Sequence, residues 1–152
     1  MKRFIVVLFT LSFVGFAAQS WAGPVEEVAQ IAAPRGKIFE EGSAEAYAAA
    51  FADNAVLTSS LSAFRIEGKE AIRAYFAELF QLHPGRRLFT RQPVARAYND
   101  DLVVQDSYNA LYLTDEKGQV TQLSLRASVI WAKVGGRWQI VDQHVSRIPM
   151  LH

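Results

Sequence analysis

The chain has 152 residues, no cysteine, and 16 basic against 15 acidic residues. Without thiols, disulfides, thiolate metal sites and cysteine nucleophiles are excluded. The near-balanced charge gives no global pull toward nucleic acid or an anionic membrane, and the length suits one domain with a sizeable core.

The amino terminus reads Met1, Lys2, Arg3, then an apolar run from Phe4 to Ala18 interrupted by Thr10, Ser12 and Gly15. Two positive charges before a short hydrophobic run are the pattern of a secretory signal peptide, and the run is short for a spanning helix. Ser20-Trp21-Ala22 supplies small residues where a signal peptidase reads, so cleavage is expected after Ala22; an uncleaved anchor is the rival reading. The working domain is then 23–152, with a periplasmic or secreted location and no membrane attachment after cleavage. Loss of Lys2 and Arg3 leaves 14 basic against 15 acidic residues.

From Pro24 to about Glu41, Val25, Val28, Ile31 and Ile38 predict a helix, with a kink or break at Pro34 and Gly36. Gly42 ends it. Ser43 is a suitable N-cap for a short second helix with Ala46, Tyr47, Ala50 and Phe51 on its inner face. A short strand is expected over Ala55–Ser59. Gly68 precedes a third helix, Lys69 to about Leu82, whose Ile72, Tyr75, Phe76, Leu79 and Phe80 form one apolar face; His83-Pro84-Gly85 stops it. Strands follow at Arg87–Ala97, Leu102–Thr114, Gln119–Val134 and Arg137–Ile148. They are separated by turns at Asn99-Asp100-Asp101 and Glu116-Lys117-Gly118 and by a tight Gly135-Gly136 hairpin. Three helices and then a four-stranded antiparallel meander argue an α+β fold.

Period-two alternation assigns strand faces. The even-numbered sets are Trp138, Ile140, Asp142, His144 and Ser146; Leu102, Val104, Asp106, Tyr108, Ala110 and Tyr112; and Arg126, Ser128, Ile130 and Ala132. Each mixes apolar residues with a few polar groups, the composition of a ligand pocket, and Arg126 and His144 are expected to face the interior. Asp142 and His144 project from one face; the carboxylate can orient the imidazole and raise its pKa, or the pair is structural. Arg126 is either a carboxylate-binding fork or a surface arginine lying along apolar neighbours. Asp106 is a buried acid or a salt-bridge partner of Arg126. Tyr108 and Tyr75 either reach a ligand oxygen or are core aromatics. Ser146, close to His144, is only a weak sign of a serine nucleophile.

Of the three histidines, His83, His144 and His152, no two stand at chelating spacing, so no metal is expected. No glycine-rich phosphate loop or Gly-x-Ser-x-Gly elbow occurs, and no cofactor is expected.

The segment Trp138-Gln139-Ile140-Val141-Asp142-Gln143-His144-Val145-Ser146-Arg147-Ile148-Pro149 resembles the end of the association (hub) domain of calcium/calmodulin-dependent protein kinase II and, more closely, its stand-alone bacterial relatives. The stretch Arg65–Phe76 with Gly68, Ile72 and Tyr75, the strand carrying Arg126 and Ser128, and Tyr108 resemble the same family. The resemblance covers roughly residues 25–149. It implies the nuclear transport factor 2-like fold, a curved antiparallel sheet wrapped by helices into a cone with an interior pocket.

Together with the export signal read at the amino terminus, it implies an exported small-molecule-binding or oligomeric association module without kinase activity, taking a carboxylate or carbonyl compound and forming a homo-oligomer. The superfamily also holds acid–base enzymes of the ketosteroid isomerase, dehydratase and polyketide cyclase type, which is the alternative. Two hub pocket arginines are replaced here by Val145 and Val129, which weakens the expectation of hub-like carboxylate affinity.

Overall fold

A computed structural model describes residues 23–149. The expected signal segment, 1–22, and His152 lie outside the described residues. Pro24 opens α1 (Pro24–Ala32), its fixed φ suited to a first helical position, with Glu26 and Glu27 in the first turn. The break expected at Pro34 occurs, and it splits the first helix in two: α2 spans Arg35–Glu41 and ends on Gly42 at φ 78°. Ser43 caps α3 (Ala44–Ala48), its hydroxyl accepting from the Ala46 N–H at 3.1 Å. That helix is shorter than its pattern predicts. Phe51 is still fully buried, but as the first residue of strand β1 (Phe51–Thr58). After β2 (Ile66–Glu67), helix α4 (Lys69–Leu82) buries Ile72, Phe76, Leu79 and Phe80, as its spacing predicts.

The four long strands follow in the expected order: β3 (Gly85–Asn99), β4 (Leu102–Thr114), β5 (Val120–Val134) and β6 (Arg137–Arg147). The sheet has six strands rather than four, in the order β2-β1-β6-β5-β4-β3. The meander is antiparallel, and β1 adds in parallel beside β6, which makes the last strand an interior one. The hairpin turn places Gly135 and Gly136 at φ 57° and 77°, the doubly positive geometry that matches strand twist and that side-chain-bearing residues resist.

The helices cover one face of the curved sheet. Phe39, Tyr47, Phe76 and Phe80 meet edge-on or tilted, with Tyr47 and Phe76 at 4.4 Å and Phe39 and Phe80 at 5.2 Å between ring centres. Such contacts add about 0.5–1.5 kcal/mol each beyond burial. Two polar fastenings hold the helical layer. The Trp138 indole N–H donates to Glu27, which also pairs with Lys133 at 3.1 Å, so α1 is tied to the β5–β6 hairpin. Arg86 donates to the carbonyls of Phe39 at 2.8 Å, His83 at 2.7 Å, Phe80 at 3.2 Å and Glu40 at 3.3 Å. It thereby serves the otherwise unpaired carboxyl ends of both α2 and α4.

Candidate functional site

The pairing register decides which side chains the helices cover. Trp131 pairs with Ile140, but Ile130 pairs with Asp142. Val141 is therefore an extra residue, a β-bulge, and beyond it every side chain of β6 changes face. Before the bulge the even residues Trp138 and Ile140 are buried; after it the buried residue is Gln143, with Val145 against the core. On β4 and β5 the inner face is the odd set, with Val103, Leu111 and Leu113 on one and Leu123, Leu125, Ala127 and Trp131 on the other.

This corrects the expected position of Arg126 and His144. Both are exposed, on the face of the sheet that the helices do not cover. Trp138 and Ile140 of the even set are buried, but the bulge breaks the period-two alternation halfway along the strand.

Five of the seven candidates nevertheless gather in one place. Asp106, Tyr108, Arg126, His144 and Ser146 line an open outer groove of ≈ 600 Å³ with Arg96, Ser128 and Val94. A polar chain crosses it: Arg96 pairs with Asp106 at 2.5 Å, and the Ser128 hydroxyl donates to the other Asp106 oxygen at 2.6 Å. The Arg126 Nε donates to the Ser146 hydroxyl at 3.1 Å. Asp106 is thus a salt-bridge partner of Arg96 rather than of Arg126. Asp142 pairs with Val56 and Ile130, half-buried, and does not line the groove.

Tyr75 is separate from these, under the helices. Its hydroxyl shares a 2.6 Å hydrogen bond with Ser59, and burial pushes its phenol pKa up, against the opposing effect of that bond. It borders an interior chamber of ≈ 70 Å³ walled mainly by Phe39, Leu57, Phe76, Leu79, Leu111 and Leu125. A second chamber, of ≈ 90 Å³, lies between the α1–α2 break and the sheet, bordered by Arg35, Gln105, Ser107, Ala127, Val129 and Trp131. Tyr47, Leu88, Asn109 and Gln143 line both. A water's share of liquid volume is about 30 Å³, so each chamber holds a group of only a few heavy atoms.

The interior polar groups that the strand-face reading missed are Arg35, Gln105, Ser107, Asn109 and Gln143. Their signal was present in β4. Its odd set reads Val103, Gln105, Ser107, Asn109, Leu111, Leu113, with aliphatic ends and a polar middle, which is the profile of a strand crossing a pocket floor. Among the described residues, the titratable groups bordering the two chambers are Arg35, Tyr47 and Tyr75, with no carboxylate or imidazole. Among the described residues no three His, Cys, Asp or Glu side chains gather as a metal would require, and no helix is long and apolar enough to cross a membrane.

An N-terminal helical layer on a curved, unclosed sheet, with chambers between the two, defines the nuclear transport factor 2-like class. The SnoaL-like domain family matches residues 28–151, and the chain belongs to that family. Solved structures agree on the fold. A protein from Xanthomonas campestris described as a calcium/calmodulin-dependent protein kinase II association domain is similar with a TM-score of 0.74 and 23% identity, over 93% of this chain and 100% of that one. A protein from Streptomyces avermitilis described as a dehydratase of the same fold family gives 0.73 and 12%, over 84% and 98%. A nuclear transport factor 2-like protein of unknown function from Pseudomonas putida gives 0.71 and 22%, over 80% and 84%. No curated protein matches the chain.

Proposed function

We propose that the protein is a small-molecule-binding module whose ligand enters the chambers between helices and sheet. The observation that carries this reading is the lining itself: Asn109 and Gln143 face both chambers, Gln105 and Ser107 border the second, and among the described residues neither chamber is bordered by a carboxylate or imidazole. Acid–base isomerases and dehydratases need a group that titrates near neutral pH beside the substrate, so this lining favours binding over turnover. The enzyme alternative rests on Tyr75, the half-buried hydroxyl able to hydrogen-bond a substrate oxygen.

The test is a fragment screen by NMR of small carbonyl and carboxylic compounds, followed by incubation of each binder with the protein. Saturable shifts at Trp131 and the Gln143 side-chain amide, with the compound recovered unchanged, support the module. Conversion of a binder that Tyr75→Phe abolishes establishes the enzyme instead.

Two further proposals concern context. A second copy of the chain is the occupant we propose for the outer groove and its surroundings, where Phe89, Val94 and Tyr108 are exposed among Arg96, Arg126 and Asp106. Light scattering on Tyr108→Asp, which puts a charge at the centre of that face, should show a smaller particle than the unsubstituted protein. Export on residues 1–22 is the other, supported by the charge and hydropathy pattern of the leader; sequencing the amino terminus of the protein recovered from the cell envelope should begin at Gly23.

A further inference from the structure

One wall of the first chamber is thin. Outside it lies an open groove of ≈ 450 Å³ between the loop that follows β1 and the second half of α4. Leu61, Tyr75 and Leu79 line both the groove and the chamber, so these side chains form the partition between them. Tyr75 and Leu79 are held by the helix, one turn apart. Leu61 sits in a turn, half-buried against the core. The hydrogen bonds of that turn are local. The Leu61 N–H donates to the Ser59 hydroxyl at 3.2 Å, and the Ser62 N–H to the Ser59 carbonyl at 3.2 Å. Among the described residues, the side-chain hydrogen bond that joins this loop to α4 is the one between Ser59 and Tyr75. Leu61 is thus the part of the partition that can swing aside without disturbing helix or sheet.

The groove is apolar on one side and polar on the other. Leu61, Leu79 and Leu82 make the apolar side, with Leu82 56% exposed. Glu78 lines the polar side, and among the described residues no lysine or arginine lines the groove and Glu78 forms no ion pair. The basic residues nearest in sequence to the groove's walls are engaged elsewhere: Arg65 pairs with Glu67, and Arg86 donates to helix-end carbonyls. His83 also lines the groove, and its Nδ1 is buried without a hydrogen-bond partner.

We propose that groove and chamber form one elongated site for an amphiphilic primary amine, whose unbranched apolar tail passes Leu61 into the chamber while its ammonium group stays outside on Glu78. The inference rests on the binding-module reading and names the ligand class. Size requires the groove: even at the highest ligand efficiency, a group of about three heavy atoms binds with a Kd of only about 1 mM, so a ligand confined to the chamber binds weakly. The walls of Phe39, Leu57, Phe76 and Leu125 select an apolar tail. Charge selects the head. A carboxylate head would meet Glu78 and be repelled, which reverses the sign that the hub resemblance implies. An ammonium pairs with Glu78, and its N–H groups offset the cost of the unpartnered nitrogen on His83.

The test titrates hexylamine, hexan-1-ol and hexanoate at constant ionic strength and about pH 8, where an alkylamine is protonated and an alkanoate ionised. It reads the methyl resonances of Leu125 and Val145 in the chamber wall and of Leu82 in the groove. Hexylamine should shift both sets saturably. Hexan-1-ol should bind about threefold more weakly and hexanoate about tenfold more weakly, the range for removing and then reversing a solvent-exposed charge pair. Glu78→Gln should bring the three probes within about twofold of one another. Leu61→Trp, which fills the passage, should abolish the shifts at Leu125 and Val145. Should that variant not fold, Leu61→Ala serves instead, speeding both binding and release of hexylamine while the Leu125 shift persists. Hexanoate binding as tightly as hexylamine, or a preference for the amine that survives Glu78→Gln, overturns the proposal. Chamber shifts that survive Leu61→Trp, or rates unchanged in Leu61→Ala, overturn it as well. If hexan-1-ol and hexylamine shift Leu125 and Val145 equally, the amine subsite falls while the chamber remains a ligand site. If no probe reaches those methyls, the proposal falls, and the binding-module reading is decided separately by its own fragment screen.

Discussion

Arg86 offers the sharpest test of how the chambers are roofed. Its guanidinium holds the carboxyl end of α2, through Phe39 and Glu40, against the carboxyl end of α4, through Phe80 and His83. Partial burial lowers its pKa from the ordinary arginine value. Arg86→Met keeps the stem and removes every donor. Hydrogen bonds from a charged group contribute about 1.5–3 kcal/mol each. Counting only the two short ones, to Phe39 and His83, and halving the result because water reaches part of the site, the loss is about 1.5–3 kcal/mol. For a domain of this size that corresponds to a fall in Tm of roughly 6–12 °C. Thermal and urea unfolding followed by circular dichroism would measure it, with Arg86→Lys recovering less than half, since an ammonium cannot span four carbonyls. A fall below about 2 °C for Arg86→Met would refute the argument that this side chain joins the two helices. Phe39 and Leu79 wall the first chamber, so the variant should also weaken any chamber ligand.

Other outcomes follow from the same structure. The hydrogen bond from Trp138, and then that from Lys133, hold the Glu27 carboxyl below its ordinary value of 4.5. With the folded pKa depressed, its contribution to stability is present above the unfolded-state value and lost as pH falls through the folded one. The urea midpoint should thus drop as the pH falls below the ordinary value of 4.5, and drop less in Glu27→Gln. Tyr75→Phe should cost about 1 kcal/mol through the lost Ser59 bond, and ultraviolet titration of the unsubstituted protein should show one phenol ionising above the ordinary tyrosine range. Deletion of Val141 forces one half of β6 onto the wrong face and should abolish cooperative unfolding, whereas Val141→Ala, which keeps the bulge, should fold. A deletion variant as stable as Val141→Ala would mean that β6 pairs in another register.

Much of the architecture is written in local pattern. The spacing of Ile72, Phe76, Leu79 and Phe80 gives α4 and its buried face; Pro34 gives the break and Gly42 the stop; Gly135-Gly136 gives the hairpin. Local pattern does not extend to the partners of β1, because its pairing with β6 joins segments from opposite ends of the domain. It misleads at β6, where one extra residue reverses the meaning of odd and even. The hairpin itself carried a partial remedy: pairing across the turn sets Ile140 opposite Trp131, so a buried Ile140 places the odd residues of β5 inside and Arg126 outside. Arg35 escaped notice for another reason. Beside a proline and a glycine it reads as part of a kink, and only the fold shows that the kink aims it inward.

The position of β6 has a consequence for how the molecule comes into being. Among the described strands β1 pairs only with β2 and β6, and β2 is two residues long, too short to hold β1 as a sheet. While the chain is being synthesised, the early helices and β1 wait without a complete sheet to cover, and the floor of both chambers lacks its last strand until Gln143 emerges. Folding is therefore completed late and through contacts distant in sequence, a slow class of transition. During that interval the domain stays a threadable chain, accessible to chaperones and proteases and free of ligand, and a ligand that binds the finished chambers would act as a trap for the last step rather than as a guide to the first.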